Sequence, residues 1–579
     1  MAKNIGIGVQ DFSKLRKKNR FYIDKTSFIK EWWENGEEVT LITRPRRFGK
    51  TLNMSMVEHF FSLKYANEGA IFEGLSIWKE EEYRNIQGTY PVISLSFARI
   101  QENNFEAQKE KICEILRDLY IEYSFLKQSD VLTEADKAYF DLMLSLDIKE
   151  NLATSSLYQL SKFLYHYYGK SVIILLDEYD TPMQEAYVNG FWEELTSFTR
   201  SLFNSTFKTN PFLEKAIMTG ITRVSKESVF SGVNNLRVIT ATTKDYATSF
   251  GFTEEEVFRA LDENGLGNEK EKVKEWYNGF VFGKHSDIYN PWSITNFLNE
   301  KIYKTYWSNT SGNALVNKLI QEGGRGIKQS MEQLLKGESV KCCIDEQIVY
   351  NQLDYDGEVA IWSLLVASGY LKILNPDKSE EDDSELIITN LEVRIMFEKM
   401  VRGWFRTSGS NYNSFVKSLL KGDLEEMNHY MNKVALSTFS YFDVGGVSAE
   451  AEPERFYHGF VLGLLVEFRE TYEICSNRES GLGRYDVMLI PRRENNITTP
   501  AIILEFKVHN PKKEKNMEET VANALRQIKE KEYDARLLEM GIKPESIHHY
   551  GFAFKGKNVL IGSNGKSDED SELSIVLDK

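Results

Sequence analysis

Residues 41–51 read LITRPRRFGKT, a short apolar run that closes on Gly49, Lys50 and Thr51. A phosphate-binding loop of the pattern G-x-x-x-x-G-K-[ST] ends this way, but it asks for glycine at position 44, where this chain has Arg44. Such a loop needs backbone N–H groups curling around phosphate oxygens at a helix N-terminus, a lysine for the β/γ-phosphates and a hydroxyl for Mg²⁺. Lys50 and Thr51 supply the last two, and Gly49 lets the backbone approach closely. Arg47, Phe48, Gly49, Lys50 and Thr51 are therefore the expected nucleotide-contacting set. The amphipathic run LNMSMVEHFF follows, so strand, loop and helix stand in the required order. Arg44, Pro45, Arg46 and Arg47 make the loop stiff and basic, and the extra charge suits a triphosphate. Taken by itself, Gly-Lys-Thr at a helix start is common.

A second stretch decides the reading. Residues 172–178, VIILLDE, form an apolar run ending in Asp177 and Glu178. Two carboxylates at the end of a buried strand are costly without a cation. In a P-loop enzyme Asp177 would hold Mg²⁺ and Glu178 would orient the attacking water. The run EKAIMTGITR (214–223) places Thr219 and Arg223 where such enzymes sense the γ-phosphate. Arg200 is either an arginine finger or a solvated helix residue. With VTLITR (39–44) and YPVISLSF (90–97), these runs alternate with helical stretches, which is an α/β layer pattern.

The chain is 579 residues long, too much for one core, and its 42% hydrophobic and 27% charged residues are ordinary for a globular protein. Its net charge of -15 gives no general attraction to nucleic acid or anionic lipid, so any such contact must come from local basic patches. The four cysteines form no C-x-x-C pair. No signal peptide and no membrane-spanning run is expected, and the expected location is cytoplasmic.

FYIDKTSFIKEW (21–32), TRPRRFGKTL, LLDEYDTP, YNGF (277–280), YNPWS (289–293) and SGYL (368–371) together resemble the AAA-ATPase-like proteins of bacteria and archaea. Those proteins carry a C-terminal domain of the PD-(D/E)xK nuclease superfamily, and the resemblance covers nearly the whole chain. PRRFGKT is that family's usual loop, so Arg44 is no private defect. The Tyr22, Asp24, Lys25 and Thr26 segment matches it too, with a role near the nucleotide or a purely structural one.

Pattern and resemblance together lead to an expected α/β protein: a P-loop ATPase-like three-layer domain (1–235), a mostly helical, lid-like region (236–345), a winged-helix-like region (346–440) suggested by helix, two strands around a charged hairpin and helix, and a restriction-endonuclease-like α/β domain (441–579). In the last, AIILEFKV (501–508) puts Glu505 and Lys507 on one strand face and Phe506 on the other. GRYDVMLI places Asp486 at the start of the strand before it. In the PD-(D/E)xK arrangement Asp486, Glu505 and the carbonyl of Phe506 would bind Mg²⁺ or Mn²⁺, and Lys507 would position the attacking water. A Glu–Lys pair at a strand edge is the plainer alternative. The resemblance further implies an acid from the preceding helix, Glu454 in preference to His458, and a Gln527/Tyr533 pair. Arg478 and Arg484, with Arg492, Arg493, Lys512, Lys513 and Lys515 nearby, form the candidate phosphate-contacting patch, a solvated surface being the plainer reading of the lysines. The expected function is an ATP-binding, metal-dependent phosphodiesterase gated or powered by ATP. DNA is the expected substrate, with RNA admitted and a homo-oligomer allowed. The alternative is an ATP-switched protein that grips nucleic acid or a partner without cutting it. A third reading is a signalling ATPase that oligomerises on nucleotide.

Overall fold

Strand β1 (Val39–Thr43) is buried along its whole length, its Val39, Leu41 and Ile42 joined by two buried threonines, as expected of a strand covered on both faces. It belongs to a parallel sheet with β2 (Val92–Ser96), β3 (Val172–Asp177), β4 (Leu213–Gly220) and β5 (Leu236–Ile239), in the order β2-β3-β4-β1-β5. Helices such as Lys50–Phe61, Phe105–Glu122 and Glu150–Tyr168 connect the strands. β1 lies beside β4, with Ile42 opposite Thr219. Ligands in such sheets gather at the carboxyl ends of the strands. Here those ends carry Arg44, Asp177 and Gly220.

The computed structural model describes residues 3–222, 229–230, 232–308, 313–345, 357–375, 383–404, 412–442, 452–476, 479–481, 483–492, 499–556, 558–564 and 573–575. The chain forms two compact units. One comprises Met1–Leu315 with Ser339–Arg394, the other Val316–Glu338 with Ile395–Lys579.

The first unit adds two small antiparallel sheets to the parallel one. β6 (Phe252–Thr253), β7 (Asn278–Phe282) and β8 (His285–Tyr289) pair in the order β6-β8-β7. β9 (Val340–Cys342), β10 (Leu371–Ile373) and β11 (Ser384–Ile388) pair as β10-β11-β9. The helix Gly357–Ala367, buried from Ala360 to Val366, precedes β10. It is apolar all round, as a helix covered on every side must be.

In the second unit β12 (Tyr472–Ser476) is followed by a short hairpin, β13 (Glu479–Ser480) and β14 (Gly483–Arg484). A mixed sheet then runs β12-β15-β16-β17-β18-β19, with β15 (Val487–Pro491), β16 (Ala501–Val508), β17 (Ile547–Lys555), β18 (Asn558–Asn564) and β19 (Leu573–Ile575). β16 and β17 are parallel, so the chain needs a crossover between them, and the helix Met517–Glu530 lies in that connection. Asn516 caps it by accepting the Glu519 N–H at 3.0 Å. On its buried face, with Ala524, the side chains of Val521, Leu525 and Ile528 join Met488 and Ile503 in one apolar cluster. The valine, leucine and isoleucine side chains each contribute about 1.5–3 kcal/mol by leaving water. That burial sets which face of the helix, and hence which polar residues, looks along β16.

Candidate functional site

In the first unit the chain turns from β1 into the helix Lys50–Phe61 through two left-handed residues, Arg47 (φ 65) and Gly49 (φ 82). Gly49 takes that conformation freely, whereas Arg47 pays about 1–2 kcal/mol for it. The Lys50 ammonium is buried in the turn and donates to the carbonyls of Arg44 and Pro45, both at 2.9 Å. Burial lowers its pKa, and Asp177 is the foremost charge opposing that.

Thr51 donates its hydroxyl to Asp177 Oδ2 at 2.7 Å, and the Thr219 hydroxyl donates to Asp177 Oδ1. Thr219 Oγ1 also accepts the Glu178 N–H at 3.4 Å. Thr51, Asp177, Glu178 and Thr219 thus converge from a helix start and two neighbouring strand ends. Glu178 sits in the left-handed region (φ 53), and burial, then Asp177, raises its carboxyl pKa. Strain and a perturbed acid at one residue are common at working sites. Arg223 lies outside the described residues. Arg200 is half-buried on the helix Trp192–Phe207 and takes no part in the cavity wall.

A cavity of about 450 Å³ opens over this turn. Arg46–Asn53, Glu178 and Asp180 line its polar end, and Phe21, Tyr22, Phe252 and Trp292 give it aromatic walls. The Arg47 guanidinium lies 4.3 Å from the centre of the Trp292 ring. Phe48 itself is turned away, its ring packed edge-on to Phe280 and Phe282, so only its backbone can face a phosphate.

Arg44 corrects an expectation. Its charge was expected to add to the phosphate site, but the side chain is wholly buried and points inward. Its guanidinium donates to the carbonyls of Thr43 (2.9 Å) and Thr240 (2.8 Å) and lies 4.4 Å from the Phe282 ring centre. Burial brings its pKa down to about 9. Of the Tyr22–Thr26 segment, Tyr22, Ile23 and Lys25 line the cavity, while its polar side chains are bonded within the protein. Lys25 donates to Glu256 and to the Thr248 carbonyl, and Asp24 accepts from Thr26 and the Ser76 N–H.

In the second unit Glu505 is 3% exposed, next to solvent-reaching Lys507 on the same face of β16. Gln527, from the crossover helix, ties them together. Its Oε1 accepts from Lys507 Nζ at 2.7 Å, while its Nε2 donates to Glu505 Oε1 and, at 3.0 Å, to the Tyr533 hydroxyl. Tyr533 in turn donates to the Arg484 carbonyl at 2.6 Å. Asp486 Oδ2 accepts the Phe506 N–H at 2.8 Å, and Tyr457 donates to the Asp486 carbonyl at 3.0 Å. The Phe506 ring packs on Tyr457 (4.5 Å) and Phe552 (4.8 Å).

The other oxygen of Glu505, Oε2, is buried with no hydrogen-bond partner. Burial and then the nearby Asp486 push the Glu505 carboxyl up to about 8, against the pull of Lys507. An orphaned buried carboxylate oxygen beside a second carboxylate suits a hard cation. Among the described residues no group of three or more His, Cys, Asp or Glu gathers, so the remaining donors would have to be carbonyls, waters or Glu454. The side chains of Glu454 and His458 and all of Arg478 and Arg493 lie outside the described residues. Arg484, Arg492, Lys512, Lys513 and Lys515 are exposed. The hairpin that carries Arg484 is seated on the end of the crossover helix, where Ser480 donates to the Tyr533 carbonyl at 2.8 Å. At Gly481 (φ 57) a Cβ would stand 2.3 Å from the Glu532 carbonyl oxygen, so no other residue fits.

The raised Glu505 pKa has a consequence for stability. An acid whose folded pKa exceeds its unfolded value stabilises the fold below the unfolded value, and that contribution is lost as pH rises through about 8. Glu505→Gln should therefore gain stability relative to wild type between pH 5 and pH 9 without added metal. Urea denaturation across that range measures it, and a constant difference would contradict the shift.

Comparison with known proteins finds family matches toward both ends of the chain. Residues 6–230 match the family model described as a predicted AAA-ATPase, and residues 452–564 match that of the PD-(D/E)XK nuclease superfamily. The chain carries an AAA-ATPase-like domain and a PD-(D/E)XK superfamily domain. It is also similar to an uncharacterized protein in the vnfD 5′ region of Azotobacter chroococcum mcd 1, 25% identical over 373 residues. That match covers 64% of this chain and 64% of the relative. Among the described residues no helix is long and apolar enough to cross a membrane.

Sequence reasoning gave Trp292 and Asn290 no role, although both lie in the quoted YNPWS. Asp180, in LLDEYDTP, was also passed over. It accepts the N–H groups of Ile221 and Thr222 at 2.8 and 2.9 Å and lines the cavity. Their signal was a polar or aromatic residue inside a motif with no periodicity to explain it.

Proposed function

We propose that this protein is an ATP-binding, divalent-metal-dependent nuclease acting on DNA, with ATP gating access to the cleavage site. The observation that carries it is Glu505 Oε2, buried without a partner beside Asp486 and within the Gln527–Lys507 network. Asp486 and Glu505 would hold Mg²⁺ or Mn²⁺, with the Phe506 carbonyl and Glu454 as further oxygen donors. The cation, when bound, polarises the scissile phosphate and lowers the pKa of a water. Lys507, oriented by Gln527, places the attacking water. Exposed Arg484, held at the rim through Tyr533, contacts the substrate backbone together with Lys512, Lys513 and Lys515.

At the other site the backbone of Arg47–Thr51 cradles the phosphates and Lys50 leaves its two carbonyls for them. Thr51 and Asp177 hold Mg²⁺, Glu178 orients water for hydrolysis, and Thr219 reads the γ-phosphate through its bonds to Asp177 and Glu178. Arg223 is proposed in the same role by position. The test of the whole is cleavage of single- and double-stranded DNA and RNA, with and without ATP, in Mg²⁺ and Mn²⁺. No cleavage in any combination would reject it.

The nucleotide part has its own test. MgATP at 100 times its dissociation constant should stabilise the protein by about 2.7 kcal/mol. A thermal shift records this, and Lys50→Ala should remove most of it. Equal shifts in the two proteins would reject the assignment of Lys50.

A further inference from the structure

The phosphate turn is gripped from its outer side by segments far away in the sequence. The Arg46 carbonyl accepts two side-chain bonds, from Trp307 Nε1 at 3.0 Å and from Asn290 Nδ2 at 3.3 Å, donors 261 and 244 residues downstream. Neither donor is free to wander. Asn290 caps the helix Pro291–Glu300, its Oδ1 accepting the Trp292 N–H at 2.8 Å. The backbone N–H of Trp307 donates to buried Glu392 at 2.6 Å, and the other oxygen of Glu392 accepts from the Ser293 hydroxyl at 2.7 Å. The indole packs against Phe280 (5.5 Å) and Tyr370 (5.4 Å), and Phe280 also meets Phe48 in the turn. Gly369, just before Tyr370, lies so close to Pro45 that a Cβ would stand 2.8 Å from its Cγ. YNGF, YNPWS and SGYL, three motifs with no other assignment, therefore meet on one loop.

The loop needs such support. It lacks the glycine at position 44, and Arg47, the residue after the doubly bonded carbonyl, is held in a left-handed conformation that a non-glycine residue avoids. From this we infer that Asn290 and Trp307 are positioning residues, which hold the Arg46–Arg47 peptide so that the loop N–H groups face the phosphates. Neither touches the nucleotide through this contact; they act through the backbone of residue 46. The inference rests on the nucleotide site proposed above.

The test uses the full chain and two variants that keep the packing. Trp307→Phe retains an aromatic ring between Phe280 and Tyr370 but deletes the indole N–H. Asn290→Ser retains a capping oxygen for the helix and deletes the amide donor. Each should weaken MgATP binding about fivefold, the scale of one net hydrogen bond, while melting close to wild type without nucleotide. A merely structural role would lower the melting point and leave the affinity of the folded protein alone. Wild-type affinity in both variants, beside a Lys50→Ala protein that no longer binds, would overturn the latch and leave the nucleotide site standing. Undiminished binding by Lys50→Ala, or no binding of MgATP by wild type, would reject the site and the inference with it. Should Trp307→Phe fail to fold, Asn290→Ser decides alone.

Discussion

Lys507→Ala should abolish nucleic-acid cleavage, by about 10³-fold or more, in a protein that stays folded and still binds Mn²⁺ and DNA as wild type is proposed to do. The size follows from removing a group proposed to act on the attacking water. Retention of the fold follows from the contacts. Lys507 bonds to Gln527, not directly to Glu505, and Gln527 still donates to Glu505 after the lysine is gone. Asp486→Ala differs in kind. It removes one of the two carboxylates and strips the Phe506 N–H of its acceptor, so metal binding and cleavage should both be lost. Gln527→Ala, which frees Lys507 and takes the amide donor from Glu505 Oε1, should fall between them in activity. Isothermal titration with Mn²⁺ separates the variants, and a plasmid-nicking assay ranks them. If the Glu–Lys pair were only scaffold, Lys507→Ala would cost stability and wild type would cut nothing. A destabilised Lys507→Ala beside an inert wild type would sink the nuclease reading.

Much of this geometry could be read from local patterns, and the reasons are physical. Strand alternation alone puts Glu505 and Lys507 on one face, because the side-chain period of a strand is two. The apolar run 172–176 with its terminal Asp177 can scarcely be anything but a buried strand with an acid at its end. Lys50 and Thr51 follow from the turn-to-helix step at Gly49, a position whose φ of 82 suits glycine. Gln527 entered by resemblance, and it reaches β16 because four apolar neighbours fix which face of its helix is buried. What local pattern could not supply was partners distant in sequence. Nothing within ten residues of Arg46 tells that its carbonyl is held by Trp307. Nothing in YNPWS separates a helix cap from a cap that also reaches the phosphate loop. Such contacts exist only once Phe280, Asn290 and Trp307 have packed against the turn after β1, and hydrophobic periodicity carries no record of that packing.

Arg44 shows the same limit and gives the second large expectation, since the obvious repair of the motif should do harm. Arg44→Gly restores the residue a phosphate loop ordinarily carries there, yet the protein should lose roughly 3 kcal/mol or more of stability. Two terms work against the substitution. Deleting a wholly buried side chain leaves a cavity against Phe250 and Phe282, and the Thr240 carbonyl loses a donor at 2.8 Å. One term favours it, relief of the charge that burial penalises, with Glu31 the main opposing interaction and Nε left without a partner. Arg44→Met separates these terms. It keeps most of the volume, removes the charge and leaves the carbonyl unsatisfied, so it should unfold between Arg44→Gly and wild type in urea. The affinity for MgATP supplies the decisive comparison. Because the guanidinium points away from the cavity, Arg44→Met should bind MgATP nearly as wild type does, while Lys50→Ala should not. Loss of binding in Arg44→Met as complete as in Lys50→Ala would mean that residue 44 serves the phosphates after all.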